Sequence, residues 1–382
     1  MQFKSKLIPL VGAIAFAFAA AAHAQEVIKI GHVGPISGAI SHLGKDNENG
    51  AKMAIDELNA KGVTIAGKKV TLVLLTEDDA ADPKQATSVA QKLVDAKIKG
   101  VIGHLNSGTT IPASKIYYEA GIPQISPSAT NPKYTQQGFN TTFRLVANDG
   151  QLGGTLGRYA VQIVKAKKVA VIDDRTAYGQ GVAEEFIKGV KSKNAGTEVI
   201  ARQYTTDKAT DFSAILTAIK AKNPDVIFFG GMDAVAGPML RQMKQLGINA
   251  KLMGGDGICT EALAKLAGDA MADNQVVCAE AGGVEESQKS GLDSFKAAYK
   301  QKFGVDVQIY APYVYDSVMT MVEAMQKAGS SDPVKYLPVL AKTNRKGVTG
   351  NIAFDAKGDM KEGTLTLYTY KDAKRLQLAV TK

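Results

Sequence analysis

The sequence predicts an α/β protein of two doubly wound lobes, each a parallel sheet between layers of helices. Three observations predict it. Strand-length apolar runs alternate with helix-length amphipathic runs on a regular beat. The beat restarts near Asp149 as a second set of similar size. The strand runs are apolar nearly throughout, as in parallel sheets covered on both faces. A chain of 382 residues also exceeds the usual size of a single core.

The first 24 residues stand outside this pattern. Lys4 and Lys6 precede an apolar run over 7–22, short of the roughly 20 residues that span a bilayer. Ala22, His23 and Ala24 fit the small-x-small pattern of a signal-peptide cleavage site, leaving Gln25 as the mature start. Gln25 is not a cysteine, so lipid attachment there is not expected. The mature protein is expected to be soluble and exported, with its net charge lowered from +9 to +7 by loss of the two lysines. Its basic residues are scattered singly among acids, without a basic stripe or interleaved aromatics, which argues against a nucleic-acid partner.

In the first set, strands are expected over 27–33, 69–75, 101–105 and 124–126, with helices over 47–59, 83–95 and 111–119. Asp82 and Pro83 supply an N-cap and a first-turn proline for the second helix. In the second set, helices are expected over 151–164, 181–193, 212–220, 235–245 and 261–266. Strands fall between them over 168–172, 198–203, 226–229, 251–253 and 274–279. A helical block follows, over 292–303, 313–328 and 334–340. The tail reads as short antiparallel strands over 350–354 and 364–370 around a turn at 355–359. Block and tail are expected to complete the two lobes by crossing between them.

The stretch from Gly100 to Thr130 carries the chemistry. Two short apolar runs end in small hydroxyl residues, Ser107 to Thr110 and Ser126 to Thr130. The first opens a helix whose leading N–H groups lack partners within the helix, an end that favours an anion. Two such strand ends side by side form a socket of a size for a carboxylate, with Ser107, Ser128 and Thr130 as its candidates; turn formation and capping are their alternative roles. Asp149 and Asp256 are cation candidates. Asp149 begins the second set, where its alternative role is N-cap of the following helix. Asp256 sits between glycines in Met253-Gly-Gly-Asp-Gly257, directly after a strand, where open α/β folds bind ligands. Tyr178, in Thr176-Ala-Tyr-Gly-Gln-Gly181, also follows a strand, with room beside its ring. Socket and carboxylates together suit a zwitterion.

Enzyme signatures are missing. The sequence has no Gly-x-Ser-x-Gly elbow, no His-Glu-x-x-His, no phosphate loop and no Cys–His arrangement. His32, His42 and His104 read as strand-end or surface residues. Cys259 and Cys278 are the only cysteines, which leaves no basis for a zinc site; in an oxidising compartment they are expected to form a disulfide. No metal or cofactor is expected.

The chain resembles the periplasmic leucine/isoleucine/valine-binding proteins that deliver amino acids to ABC transporters. The segments that carry the resemblance are Ile28-Lys-Ile-Gly-His-Val-Gly-Pro-Ile-Ser-Gly38, Asp78-Asp-Ala-Ala-Asp-Pro-Lys-Gln-Ala86, Val101-Ile-Gly-His-Leu-Asn-Ser107, Gly121-Ile-Pro-Gln-Ile-Ser-Pro-Ser-Ala-Thr130, Tyr178-Gly-Gln-Gly181 and Phe354-Asp-Ala-Lys-Gly-Asp359. The resemblance implies the type I periplasmic binding fold: two Rossmann-like lobes joined by three hinge crossings, with the ligand in the cleft. Lobe 1 would take 25–147 and 280–362, and lobe 2 would take 148–279 and 363–382. It implies that Ser107 and Thr130, with backbone N–H groups, hold the amino-acid carboxylate. The ammonium would meet the Ser128 carbonyl, Asp149 and Asp256, beside Ala129, and Tyr178 would close over the ligand.

This sequence departs from that pattern in places. Position 256 carries Asp where family members carry Glu, one methylene longer. Leu43 and Met232 stand where Tyr is frequent, and Tyr310 replaces an aromatic on the side-chain wall. The family's disulfide between the positions of Ala81 and Asn106 is absent. The expected function is an exported, monomeric, non-enzymatic receptor for leucine, isoleucine, valine or another apolar amino acid, acting with a membrane permease. A receptor for an amide, a urea-like solute or an aromatic acid is the alternative, and an exported α/β enzyme a more distant one. Retention of both Asp149 and Asp256 favours an α-amino group.

Overall fold

The computed structural model describes residues 25–193 and 196–381. The expected leader and its cleavage point at Ala24 lie outside the described residues.

The first set of elements runs β1 (Glu26–Gly34), α1 (Ser41–Lys61), β2 (Val63–Ile65), β3 (Lys68–Asp78), α2 (Pro83–Asp95), β4 (Val101–Gly103), α3 (Ser107–Glu119), β5 (Gln124–Ser126) and β6 (Thr142–Arg144). They build a six-stranded sheet in the order β2-β3-β1-β4-β5-β6, parallel except for β2. Adjacent residues face opposite sides of a strand, so each strand feeds two cores. Ile28, Ile30 and Ile102 pack on the α1 side with Ala51, Ala54 and Ile55. Val33 and Val101 pack on the other with Val89, Leu93 and Tyr117 of α2 and α3. As expected, Asp82 caps α2, accepting from the N–H of Lys84 and Gln85 at 2.8 Å each.

The second set runs α4 (Asp149–Gln162), β7 (Lys168–Asp173), α5 (Ala177–Lys191), β8 (Glu198–Tyr204), α6 (Ser213–Lys220), β9 (Val226–Gly230), α7 (Asp233–Gln245), β10 (Lys251–Gly254), α8 (Glu261–Ala267) and β11 (Val276–Glu280). Its strands again serve two faces. Val171, Phe228, Met253 and Val277 meet the α4–α5 layer, while Ile172, Phe229, Leu252 and Cys278 meet the α6–α8 layer.

The remainder comprises α9 (Lys289–Phe303), α10 (Ala311–Ala328), α11 (Pro333–Leu340), β12 (Asn344–Gly347), β13 (Gly350–Ala353), β14 (Leu365–Lys371) and β15 (Lys374–Thr381). Helix α10 packs on α1, so closely that a Cβ on Gly50 would collide with the backbone of Ala311. The tail departs from expectation. Residues 350–353 pair with β12, not with 365–371, which instead pair antiparallel to β11 and to β15. The second sheet therefore has seven strands, in the order β15-β14-β11-β10-β9-β7-β8.

The chain passes between the sheets three times, after β6, after β11 and before β14. Backbone hydrogen bonds tie these passages together. The N–H of Ala147 donates to Ala281 O at 3.1 Å, and the N–H of Arg144 to Gly358 O at 2.9 Å. The carboxyl ends of the two parallel sheets face each other across a cleft.

Cys259 and Cys278 are joined in a disulfide, 19 residues apart in sequence, with both cysteines fully buried. Closing a loop of this length restricts the unfolded chain by about 3 kcal/mol. Replacing both cysteines by alanine is expected to lower the unfolding free energy by about that amount, as read from urea denaturation.

Candidate functional site

Strands β4 and β5 lie side by side and parallel, which brings their hydroxyl-bearing ends together. Asn106 is extended at the N-cap of α3 and its side chain makes no capping bond. The N–H groups of Thr109 and Thr110 return to Asn106 O at 3.1 and 2.9 Å. The leading N–H groups of Ser107 and Gly108 are thus aimed outward without a side-chain cap. Ser107 Oγ accepts from the N–H of Asn131 at 3.2 Å, which leaves its own proton free to donate. Ser128 Oγ donates to Leu105 O at 3.0 Å. Thr130 Oγ1 is buried without a hydrogen-bond partner among the described residues.

The loop bearing these residues is shaped by a side chain the sequence reading passed over. Arg144, fully buried on β6, donates through Nη1 to Ala129 O at 2.8 Å and to Asn131 O at 2.9 Å. Its Nε and Nη2 meet Asp359 Oδ1 at 2.9 and 2.8 Å, and Nη2 also reaches Thr135 Oγ1. Ala129 also gives its N–H to Ser126 Oγ at 3.0 Å. Both backbone groups of Ala129 are therefore engaged, and the residue frames the loop. A lone arginine inside the apolar run 143–147 was the available signal, because a charge in such a run must be paired if it is buried.

Asp149 follows in space. Its N–H donates to Thr130 O at 2.8 Å, fixing it beside the socket. Its place differs from the capping alternative: Asn148 is the N-cap of α4, in a reciprocal box with Gln151, and Asp149 is the first helical residue. The Asp149 side chain is thereby free of capping duty. Its carboxylate is fully buried, and neither oxygen has a hydrogen-bond partner among the described residues. Burial lifts its pKa well above the usual carboxylate range; the Thr130 hydroxyl faces it and offsets part of the rise, short of a well-formed hydrogen bond. The Asp256 charge adds to the rise.

Asp256 stands in a short turn after β10 and is also buried. Tyr178, in the first turn of α5, donates to Asp256 Oδ1 at 2.8 Å and accepts from the N–H of Gly257 at 2.9 Å. Tyr310, just before α10, donates to Oδ2 at 2.8 Å. Burial pushes the Asp256 carboxyl up to about 6, against the opposing pull of the two phenols. Both phenols are themselves pushed upward by burial, so they remain protonated donors.

Tyr310 is carried with the first sheet and Asp256 with the second, so their bond spans the cleft. Three further contacts span it. Asn131 Nδ2 donates to Ala177 O at 2.6 Å, Asn106 Nδ2 meets Met232 Sδ at 3.9 Å, and His42 Nε2 meets Asp233 Oδ2 at 2.8 Å. The two halves are closed on each other. Beside the sealed carboxylates lies a cavity of about 540 Å³, lined by Ile40, Asn106, Gly108, Tyr178, Met232 and Ala234 among others. Leu43 is fully buried in α1, in the same apolar core as Tyr178, Met232 and Tyr310. The described histidines share no centre. His32 Nδ1 meets Ile102 O, His104 lies between Asp79 and Tyr117, and His42 spans the cleft.

The raised carboxyls have a consequence for stability. Asp149 and Asp256 both hold protons more tightly in the folded chain than in the unfolded one. Over the interval between the ordinary carboxylate range and their raised values the native state binds more protons, so their contribution to stability falls as pH rises. Asp149→Asn is expected to melt roughly 2–5 °C above the ligand-free wild type at pH 7.5, given the scale of burying an unpaired polar group. The difference should shrink towards pH 5, which scanning calorimetry at the two pH values checks.

Known proteins share this architecture. The sequence model of the periplasmic binding protein family matches residues 27–375. The Leu/Ile/Val-binding protein homolog 1 of Brucella abortus is 38% identical over 360 residues, 94% of each chain. The leucine-, isoleucine-, valine-, threonine- and alanine-binding protein of Pseudomonas aeruginosa is 34% identical over 375 residues, 98% of each. A branched-chain amino acid transporter substrate-binding protein of Streptococcus pneumoniae, solved with isoleucine, superposes with a TM-score of 0.81 at 28% identity, covering 93% of this chain and 99% of the other. Such proteins are transport receptors and not enzymes, in keeping with the absence of catalytic signatures from the sequence. The chain belongs to the periplasmic binding protein family, and curated relatives that span nearly its whole length are named as leucine-, isoleucine- and valine-binding proteins.

Proposed function

We propose that this chain is a periplasmic receptor that closes over a branched-chain amino acid and delivers it to the membrane permease of an ABC transporter. The observation that carries the reading is the Asp149 carboxylate, buried without a hydrogen-bond partner among the described residues, beside hydroxyl-bearing strand ends. A buried carboxylate of this kind calls for a cation, and an α-ammonium supplies one. The ligand carboxylate takes the Ser107 and Thr130 hydroxyls and the leading N–H groups of α3. The ammonium takes Asp149 and the Ser128 carbonyl, with Asp256 beside them. Ala129 shapes the loop, and Tyr178 covers the ligand. Leu43, Met232 and Tyr310 border the ligand side chain, which extends towards the apolar cavity near Ile40 and Met232. The alternative ligands, amides, urea-like solutes and aromatic acids, carry no cation to satisfy Asp149.

The lobes divide at the crossings, with 25–147 and 280–362 in one and 148–279 and 363–382 in the other. Each lobe holds part of the site, so a ligand that bridges them favours closure through its better contacts in the closed state. The protein is exported by a leader cleaved after Ala24 and acts as a monomer without a cofactor.

Asp149→Ala is expected to weaken binding of leucine, isoleucine and valine by roughly 100-fold or more, the scale of losing a charge-assisted contact in a dry site. Ser107→Ala should weaken it by roughly 5- to 10-fold, since backbone donors remain. Titration calorimetry measures both, with circular dichroism to confirm folding. In a thermal-shift panel of amino acids, the three branched-chain ligands should stabilise most. Larger shifts with acidic or basic amino acids, or wild-type affinity in Asp149→Ala, would overturn the reading.

A further inference from the structure

We propose that His42 and Asp233 form a latch across the cleft that stabilises the closed receptor directly, and so scales its affinity for every ligand by one common factor. The proposal rests on the closing-receptor reading. His42 lies at the start of α1, with the first sheet, and Asp233 is the first residue of α7, with the second. Their contact, His42 Nε2 to Asp233 Oδ2, is 2.8 Å. The other contacts across the cleft engage residues of the ligand site or its flanking loops. This one joins two residues that have no part in holding the zwitterion.

Asp233 is built in to receive a donor. Its side chain is fully buried, and Thr260 Oγ1 donates to the same oxygen at 2.6 Å. Thr260 is fixed in turn. Its Oγ1 accepts from the N–H of Leu263 at 3.0 Å, its carbonyl accepts from Tyr370 OH at 2.6 Å, and its neighbour Cys259 is held by the disulfide. Position 233 also opens a helix, where a negative charge is favoured. The other oxygen, Oδ1, is buried without a partner among the described residues. A carboxylate only accepts, so Nε2 is the donor whatever the charge of the imidazole.

An ion pair on an open surface contributes little. This pair differs because its acceptor is fully buried with the lobes closed, and on this proposal parting the lobes opens its His42 side. When they part, water reaches Asp233. When they close, water is expelled and His42 must replace it. Removing His42 therefore penalises the closed state alone. Apparent affinity varies with the fraction of receptor able to close, so the loss falls equally on all ligands.

The test compares wild type, His42→Ala and His42→Gln; the glutamine amide restores a donor. His42 is 27% exposed on its side chain, so neither change empties a core. His42→Ala should lower the affinity for leucine, isoleucine and valine by roughly tenfold each, about 1.4 kcal/mol, with their ratios unchanged, and His42→Gln should recover part of it. In the ligand-free protein, spin labels at Lys61→Cys and Lys222→Cys should report a smaller closed fraction in His42→Ala by electron resonance distance measurement. An unchanged closed fraction, wild-type affinity, or altered ratios among the ligands would overturn the latch. The distance measurement needs no ligand. If no amino acid binds wild type, the receptor reading fails while the latch is still decided.

Discussion

Everything at this site is arranged around a carboxylate that the protein declines to neutralise. Asp149 is fully buried, and Arg144, a guanidinium whose charge acts on it, has its donors committed to Ala129, Asn131, Thr135 and Asp359. The two nearby phenols are likewise committed, to Asp256. A carboxylate taken out of water without a partner costs several kcal/mol or gives up its charge, and here it moves towards giving up its charge. On the proposed reading a ligand cation relieves that cost, and a ligand anion uses the end of α3, which has no side-chain cap. On the proposed reading, the unsatisfied groups of the closed protein form the complement of a zwitterion.

The fold supplies this arrangement through the ends of its strands. Ser107 follows β4, Thr130 follows β5, Tyr178 follows β7, Met232 follows β9 and Asp256 follows β10, all at carboxyl ends of parallel strands facing one cleft. The helical block adds Tyr310, and its placement is enforced by another buried acid. Asp46 accepts from the N–H groups of Gln308, Ile309, Tyr310 and Ala311 and from Tyr299 OH. The close packing of Gly50 on Ala311 fixes the same turn from beside it. Asp359 does comparable work at the third crossing, where it binds Arg144 and so couples the hinge to the loop that holds Thr130.

How far the sequence disclosed this depended on how local each signal was. The two hydroxyl-bearing strand ends were legible because a short apolar run ending in hydroxyls is a local pattern, and β4 and β5 do pair side by side and parallel. The start of α2 was legible for the same reason. Strand β6 was not, since three residues containing an arginine carry no strand periodicity, yet Arg144 organises the loop. The tail was mispaired because adjacent apolar runs invite a hairpin, whereas β14 gains more by extending the second sheet beside β11. His42 and Asp233 lie 191 residues apart, and nothing local marks either as the other's partner.

Asp256 is where a single methylene matters. Both of its oxygens already accept from phenols, and its side chain is one methylene shorter than a glutamate. Its negative charge still acts on Asp149 and raises the cost of leaving that group unpaired. On the proposed reading, recognition of the ammonium is therefore unequal. Asp149 makes the direct contact, while Asp256 is held by Tyr178 and by Tyr310, one from each side of the cleft. Tyr178, one of the two phenols on Asp256, also lines the apolar cavity, so the support of Asp256 and the cavity wall share a residue. Discrimination among apolar side chains then falls to Leu43, Met232 and Tyr310, and the direct ammonium contact to Asp149, with Tyr310 joined to the zwitterion groups through Asp256.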